Sequence, residues 1–315
     1  MHIKVILLMY YYNNILIMSN KNLLCVEDNA DNKKLTDVNI QIEEKPKSQE
    51  ELMKQTDGYK LYLIVPYRDN NNGERKKQLV QFIPHMNKYL KALKINYEII
   101  VVEQDDDELF NRGLLFNFGV KYINQKELNI NKIFLCFHDV DIIPIEETNY
   151  YKPDNNMVNH LYGYRFSLGG IILCNFEDYI KINGFSNMYC GWGYEDNDLQ
   201  RRVSSKNLNI NRNFFCERHD EYCFKELYLD KYSSLKKMSE KGTKINQKIF
   251  EEKNNSTLDG INKLNDFEKY INIQKTLITD PKDNNEYEFN MIKCQVTSCF
   301  KAMPSAYSLR SAHLR

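Results

Sequence analysis

Three short apolar runs most constrain what this chain can fold into: "KLYLIVPYR" (60–68), "YEIIVVEQ" (97–104) and "KIFLCFHDVDIIP" (132–144). Each is strand-length, and the first is closed by Pro66. Between them, "KKQLVQFIPHMNKYLKAL" places Leu79, Phe82, Ile83, Met86, Tyr89 and Leu90 at helical intervals, and "FNRGLLFNFGVKYI" reads as a second helix. Strand, helix, strand, helix, strand predicts an α/β domain built on a central, mostly parallel sheet flanked by helices. Continuous rather than alternating apolar runs fit strands covered on both faces.

Further along, residues 152–164 read as a loop, "LGGIILC" as a strand and "NFEDYIKINGF" as a short helix closed by Gly184. "DLQRRVSSKNLNI" predicts a helix leading into a strand, and "YEFNMIKC" a final strand. Residues 220–257 are charged and poor in apolar pattern, which suggests a mobile segment within an ordered domain spanning 58–294. Residues 1–57 read as an apolar segment and a polar linker, and 295–315 as a tail. The apolar stretch Ile3–Met18 is interrupted by Asn13-Asn14 and is shorter than the ~20 residues of a spanning helix, so it is a weak membrane anchor at most.

Lys+Arg and Asp+Glu each number 43, so the formal net charge is zero. This excludes general nucleic-acid binding, which needs a basic surface. The eight cysteines form no CxxC pair, which argues against a zinc ribbon and fits disulfides and free thiols equally.

In an open parallel sheet, ligands bind beyond the carboxyl ends of the strands. Three features fall there. "VPYRDNNNGER" carries Arg68 and Arg75, whose forked guanidinium groups suit phosphate oxygens, although exposed arginine in a loop is ordinary. "HDVDIIP" places Asp139 and Asp141 on one side of a strand end, a pair that a divalent cation would relieve. "CGWGYEDND" (190–198) holds the single tryptophan between glycines and directly before three acids. Acids at a helix start need no other explanation than capping and the helix dipole. The glycine-flanked indole is not explained that way; it is a surface on which the apolar face of a sugar ring can stack. His138 and His85 read as structural. Arginines and a metal carboxylate for a nucleotide diphosphate, with Trp and acids for a second polar substrate, point to a sugar-nucleotide transferase.

The segments "VPYRD", "FIPHMNKYL", "FNRGLLFNFG", "HDVDIIP", "LGGIILC", "INGFSNMYCGWGYEDND", "ERHD" and "LDGINKL" stand in the order seen in the β-1,4-galactosyltransferases, glycosyltransferase family 7. Over about residues 59–293 the chain resembles that family, and most closely its xylosylprotein branch. The resemblance implies a GT-A (Rossmann-like) catalytic domain over 58–294, with 220–257 a mobile lid, and an inverting, Mn2+-dependent transfer of galactose from a UDP-sugar to the 4-hydroxyl of xylose, N-acetylglucosamine or glucose on a glycan or glycoprotein. A chondroitin-synthase-like transferase and a non-catalytic sugar-binding homologue are the alternatives. By the same resemblance Pro66, Arg68, Arg75, Phe110, Arg112, Asp139 and Val140 would hold the nucleotide, and Ser167 and Gly170 would lie at the donor. Asp141 and His219 would ligate the metal, with Glu221 as third ligand or Cys216 in its place. Trp192, Glu195 and Asn197 would bind the acceptor, and Asp196 would be the general base. Ser167 stands where galactosyl enzymes carry a tyrosine that crowds the donor 2-position, which raises N-acetylgalactosamine as a second donor sugar. Cys190 stands where the family usually has an aromatic, and Asn197 within its run of acids. The family pattern implies a Golgi type II membrane protein; without an anchor the chain would be soluble.

Overall fold

The computed structural model describes residues 10–11, 14–19, 22–26, 36–38, 59–69, 73–145, 157–220, 222–227, 235–252, 259–265 and 267–296. The chain divides into two compact units, Met1–Glu51 and Leu52–Arg315. In the first, strands β1 (Tyr10–Tyr11), β2 (Asn14–Ser19), β3 (Asn22–Val26) and β4 (Thr36–Val38) pair antiparallel in sequence order. The described residues of this apolar segment and polar linker are therefore strands. No helix among the described residues is long and apolar enough to cross a membrane.

The second unit carries β5 (Lys60–Tyr67), α1 (Glu74–Ala92), β6 (Tyr97–Gln104), α2 (Arg112–Lys126), β7 (Ile133–Phe137) and β8 (Ile142–Pro144). After these come β9 (Met157–Gly163), β10 (Ile171–Asn175), α3 (Phe176–Lys181), α4 (Glu195–Ser205), β11 (Asn209–Asn211), β12 (Cys216–Glu217) and β13 (Phe224–Glu226). The unit closes with α5 (Leu235–Glu252), β14 (Ile271–Thr279) and β15 (Glu286–Cys294). The main sheet runs β11-β9-β10-β7-β5-β6-β15-β14, with β12 also pairing β9.

The apolar runs are buried on both faces, as their composition predicts. In β5, Tyr62 and Ile64 face one cluster with Leu114, Leu115 and Phe118 of α2. Leu61, Leu63 and Val65 face the other, with Phe82, Ile83, Met86 and Leu90 of α1. Period-two alternation on the strand meets 3.6-residue periodicity on each helix.

The sheet is mixed rather than wholly parallel. β5 pairs parallel with both β6 and β7, and β6 with β15. β10 runs antiparallel between β7 and β9. The 157–163 stretch, expected as loop, is β9: Asn159 and His160 broke the apolar pattern, yet both are fully buried. The segment 271–279 gave no strand signal because as β14 it pairs through one side only, with β15, and its face is mostly exposed. The expected lid region contains β13 and the α5 helix, whose Ile245 and Ile249 join the core.

This topology positions the site. β5 and β7 are neighbours, but chain order leaves β5 for β6 on one side and returns to β7 on the other, which is the switch point where open α/β sheets bind ligands. The β5–β7 pairing ends at Ile64 and Phe137. Pro66 lies beyond it, where a missing N–H leaves no β7 partner unsatisfied. Because β10 is antiparallel, the residues before it, Gly169-Gly170, arrive at the edge where β5, β6, β7 and β9 end. Pairing of β12 with Tyr162 and Gly163 brings His219 to the same edge.

Candidate active site

The N-terminal residue of α2, Arg112, is the centre of the site. Its Nε meets Asp139 Oδ1 at 2.7 Å, and one Nη meets Asp196 Oδ1 at 2.7 Å. The other Nη donates to the Gly170 carbonyl at 3.3 Å, and Glu195 Oε1 lies 3.9 Å away. The guanidinium also sits 4.7 Å from the Phe116 ring centre. One planar fork thus ties the end of β7, the turn before β10 and the start of α4. The three carboxylates outweigh the desolvation of Arg112 and raise its pKa.

Burial acts on the acids in the opposite sense. Asp196 is pushed well above the ordinary carboxylate range, first by desolvation and then by the like charge of Glu195, with Arg112 opposing. Its side chain is one-quarter exposed, and the surrounding protein still desolvates it. Glu195 is raised by burial against the pull of Arg112, and its Oε2 is buried without a hydrogen-bond partner. Asp139 is raised by burial, with Arg112 opposing and Asp141 repelling. A carboxyl group raised in this way, beside an orphaned carboxylate oxygen, is suited to exchange a proton with a bound hydroxyl.

The approach of Asp196 depends on Gly169. A Cβ at that position would clash with Asp196 Oδ2. The Leu168 N–H donates to the Asp196 carbonyl at 3.3 Å.

Trp192 is 61% exposed, although it is the largest apolar side chain near the site. Gly191 and Gly193 have φ of 78° and 96°, and Tyr194, capping α4, has 74°. Such left-handed backbone is easy for glycine and turns the chain sharply enough to present the indole outward. The loop is tied from behind. Asn246, fully buried in α5, donates to the carbonyls of Cys190 (3.1 Å), Trp192 (3.3 Å) and Gly193 (3.0 Å), and Thr243 Oγ1 donates to that of Trp192 (3.1 Å).

Of the acids after the Trp, Asp198 belongs to the scaffold. It is buried and paired with Arg202 at 2.7 Å, and Arg202 also reaches Asp259 and three carbonyls. Asn197 is half-buried on the first turn of α4. Cys190 is buried in the core, and its Sγ accepts from Asn111 Nδ2 at 3.2 Å.

The nucleotide candidates fall in two places. Arg68 donates to the carbonyls of Asp106 and Glu108 and lies 5.6 Å from the Phe110 ring centre. Arg75, on the first turn of α1, pairs with Asp141 Oδ2 at 2.9 Å. Val140 is buried between the two aspartates of the β7 end. Ser167 is buried, with its N–H on the Tyr164 carbonyl at 3.2 Å.

At the metal candidates, His219 sits at φ 74° and is half-exposed. Its Nδ1 is 3.4 Å from Glu226 Oε2. Glu226 is opposite Ile142 in the β8–β13 pairing, one residue from Asp141, so this two-stranded sheet brings the His219 turn and Asp141 to one end. Glu221 lies outside the described residues. Cys216 is buried in the core, its thiol donates to the Asp220 carbonyl at 3.3 Å, and burial pushes its pKa up to about 11. Among the described residues no three acidic, His or Cys side chains form a ready-made cage. His138 is fully buried with Nδ1 on the Asp139 carbonyl at 2.9 Å, and burial lowers its pKa to about 4. His85 Nε2 contacts the Pro144 carbonyl at 2.7 Å.

Asn246, Gly169, Glu226 and Tyr162 escaped the reading of the sequence. Asn246, Gly169 and Tyr162 meet partners far off along the chain, and Glu226, eight residues from Arg218, stands in no spacing that marks it. The buried amide network Asn111–Asn117–Asn187 had one visible signal: asparagines inside otherwise apolar segments.

Comparison with known proteins identifies the family. Residues 18–154 match the N-terminal region of glycosyl transferase group 7, and 155–225 a domain described as the N-terminal domain of galactosyltransferase. The chain is 34% identical over 167 residues to xylosylprotein 4-beta-galactosyltransferase of Caenorhabditis elegans, covering 50% of this chain and 55% of that one. It is 34% identical over 162 residues to human beta-1,4-galactosyltransferase 7, covering 49% and 46%. A beta-1,4-N-acetylglucosaminyl-transferase of Lymnaea stagnalis is 33% identical over 167 residues, covering 50% and 32%. These alignments span about half the length of the first two relatives. Among solved structures, Drosophila beta-1,4-galactosyltransferase 7, crystallised as a variant with manganese, UDP-galactose and xylobiose, has a TM-score of 0.54 at 22% identity, covering 79% of this chain and 98% of that one. The fold is that of a GT-A transferase, and the two domain matches together span most of the second unit's site: the chain belongs to glycosyltransferase family 7.

Proposed function

We propose that the chain is an inverting UDP-sugar-dependent hexosyltransferase of β-1,4-galactosyl type, moving galactose to the 4-hydroxyl of a sugar acceptor, with xylose the first candidate. The observation that carries this reading is the Arg112 cluster. It sets Asp139, on the nucleotide side of the switch point, and Asp196, beside the exposed Trp192, on one guanidinium. The relatives' names, and the ligands of the Drosophila structure, support the donor and acceptor classes.

Asp141 and His219 fit manganese: a carboxylate and an imidazole are an acceptable donor set for a borderline-hard divalent ion. Bound there, manganese supplies charge neutralisation for the leaving diphosphate. The protein does the rest. Arg68 and Arg75 offer charge-assisted donors to the nucleotide. Trp192 stacks on the acceptor ring, and Glu195 accepts from its hydroxyls. Asp196 takes the proton from the attacking hydroxyl. Attack opposite the leaving group inverts the anomeric centre without a covalent intermediate.

Asp196→Asn tests this. Transfer from UDP-galactose to a xyloside should fall by at least ~1,000-fold, at the upper end of what positioned acid–base catalysis contributes, while UDP affinity stays near wild type. Persisting transfer would mean that another group is the base. Ser167 supports a second donor, UDP-N-acetylgalactosamine, because a small side chain leaves room at the 2-position. Turnover measured with both donors decides, and strict use of UDP-galactose rules it out.

A further inference from the structure

We propose that Glu226 is a positioning residue for the metal site: its carboxylate orients the His219 imidazole so that Nε2 is the nitrogen offered to the ion. This rests on the reading of His219 as a metal ligand. Three observations carry it. First, His219 Nδ1 lies 3.4 Å from Glu226 Oε2, so one ring nitrogen is already faced by a carboxylate. Metal-bound histidines commonly donate their second ring N–H to a carboxylate, which fixes tautomer and ring orientation.

Second, Glu226 is itself fixed. Its Oε1 accepts from the Tyr162 hydroxyl at 2.5 Å and from Arg218 Nε at 3.2 Å, and its side chain is about 10% exposed. The Tyr162 hydroxyl in turn accepts the His219 backbone N–H at 3.4 Å, so one tyrosine holds both the carboxylate and the turn that carries the histidine. That turn needs holding, because His219 sits in the left-handed region that a non-glycine residue rarely occupies.

Third, Glu226 is coupled to the other ligand candidate. It pairs with Ile142 across the two-stranded β8–β13 sheet, and the next residue, Leu227, donates its N–H to the Asp141 carbonyl at 2.6 Å. Both Glu226 oxygens are engaged by protein groups, which makes it a support for a ligand rather than a ligand.

Glu226→Gln is the discriminating change. The amide keeps the shape, but its NH2 must face either the His219 N–H or the Tyr162 and Arg218 donors, so one side is lost. Manganese binding to the full chain in the presence of UDP, followed by electron paramagnetic resonance, should weaken ~10- to 100-fold, the range found when such supporting partners are removed. Thermal melting and metal-free UDP binding should stay near wild type. With cobalt as the probe, the visible d–d bands should shift as the histidine loosens. Glu226→Asp, with its charge retained, and Tyr162→Phe should each weaken manganese binding less than Gln does; these two decide the matter if the Gln variant does not fold. His219→Ala separates the two claims. If it weakens manganese binding while Glu226→Gln, or those two variants in its place, bind like wild type, the role of Glu226 is overturned and the ligand reading stands. If His219→Ala itself binds manganese like wild type, the ligand reading falls and the role of Glu226 with it.

Discussion

At the residue scale, the site is a contest between burial and charge. Desolvation, and for Asp196 the like charge of Glu195, push Asp139 and Asp196 toward the neutral form, while Arg112 favours their carboxylates. A base works only when deprotonated, so the rate should rise with pH through the elevated pKa of Asp196. Glu195→Gln removes the like charge, lowers that pKa and should move the acidic limb of the kcat–pH profile to lower pH. An unmoved or upward-moved limb would contradict the assignment. Gly169 makes the arrangement possible, because any Cβ there meets Asp196 Oδ2. Gly169→Ala should therefore lower kcat by ~100-fold or more, as expected when a reacting group is displaced by an ångström, with little change in KM for the UDP-sugar. Steady-state kinetics with both substrates varied would show the split.

At the element scale, helix α5 stabilises the Trp192 loop. Three carbonyls of a tight, glycine-rich turn accept from the single amide of Asn246. Asn246→Ala removes the buried amide donor that these carbonyls share and should cost ~1–3 kcal/mol of stability by urea unfolding. It should also raise KM for the acceptor while leaving slow hydrolysis of the UDP-sugar near wild type, since the donor side is built from β5 and β7. The helix was hidden in the sequence for a physical reason. Its apolar side chains are spaced among many charges, and it gains order from Ile245 and Ile249 entering the core and from the loop it grips.

At the scale of the whole molecule, the mixed sheet gathers groups from distant parts of the chain at one edge, and a buried ionic network locks the layer beneath. Arg202 and Asp198 are 1% and 3% exposed, and Asp259 is equally buried. Arg202→Ala would strand two buried carboxylates and should destabilise the fold by ~3–5 kcal/mol. Chemical denaturation would measure this, and a loss below ~1 kcal/mol would mean that water reaches the network.

By itself the sequence determined the strands and helices from Lys60 to Phe137, because doubly covered strands and their helices carry strong apolar periods. It also marked the chemistry-bearing segments, since Asp-x-Asp after a strand and a glycine-flanked Trp before acids are local patterns. Tertiary structure alone decided which of those residues meet. Arg112 is 84 residues from Asp196, and Asn246 is 54 from Trp192. Only the antiparallel insertion of β10, and the pairing of β12 with β9, carry the later segments to the edge where β5 and β7 end. It also sorted the acids by burial, giving Asp198 to the scaffold and Asp196 to the site. Desolvation and pairing depend on neighbours that no local spacing reveals.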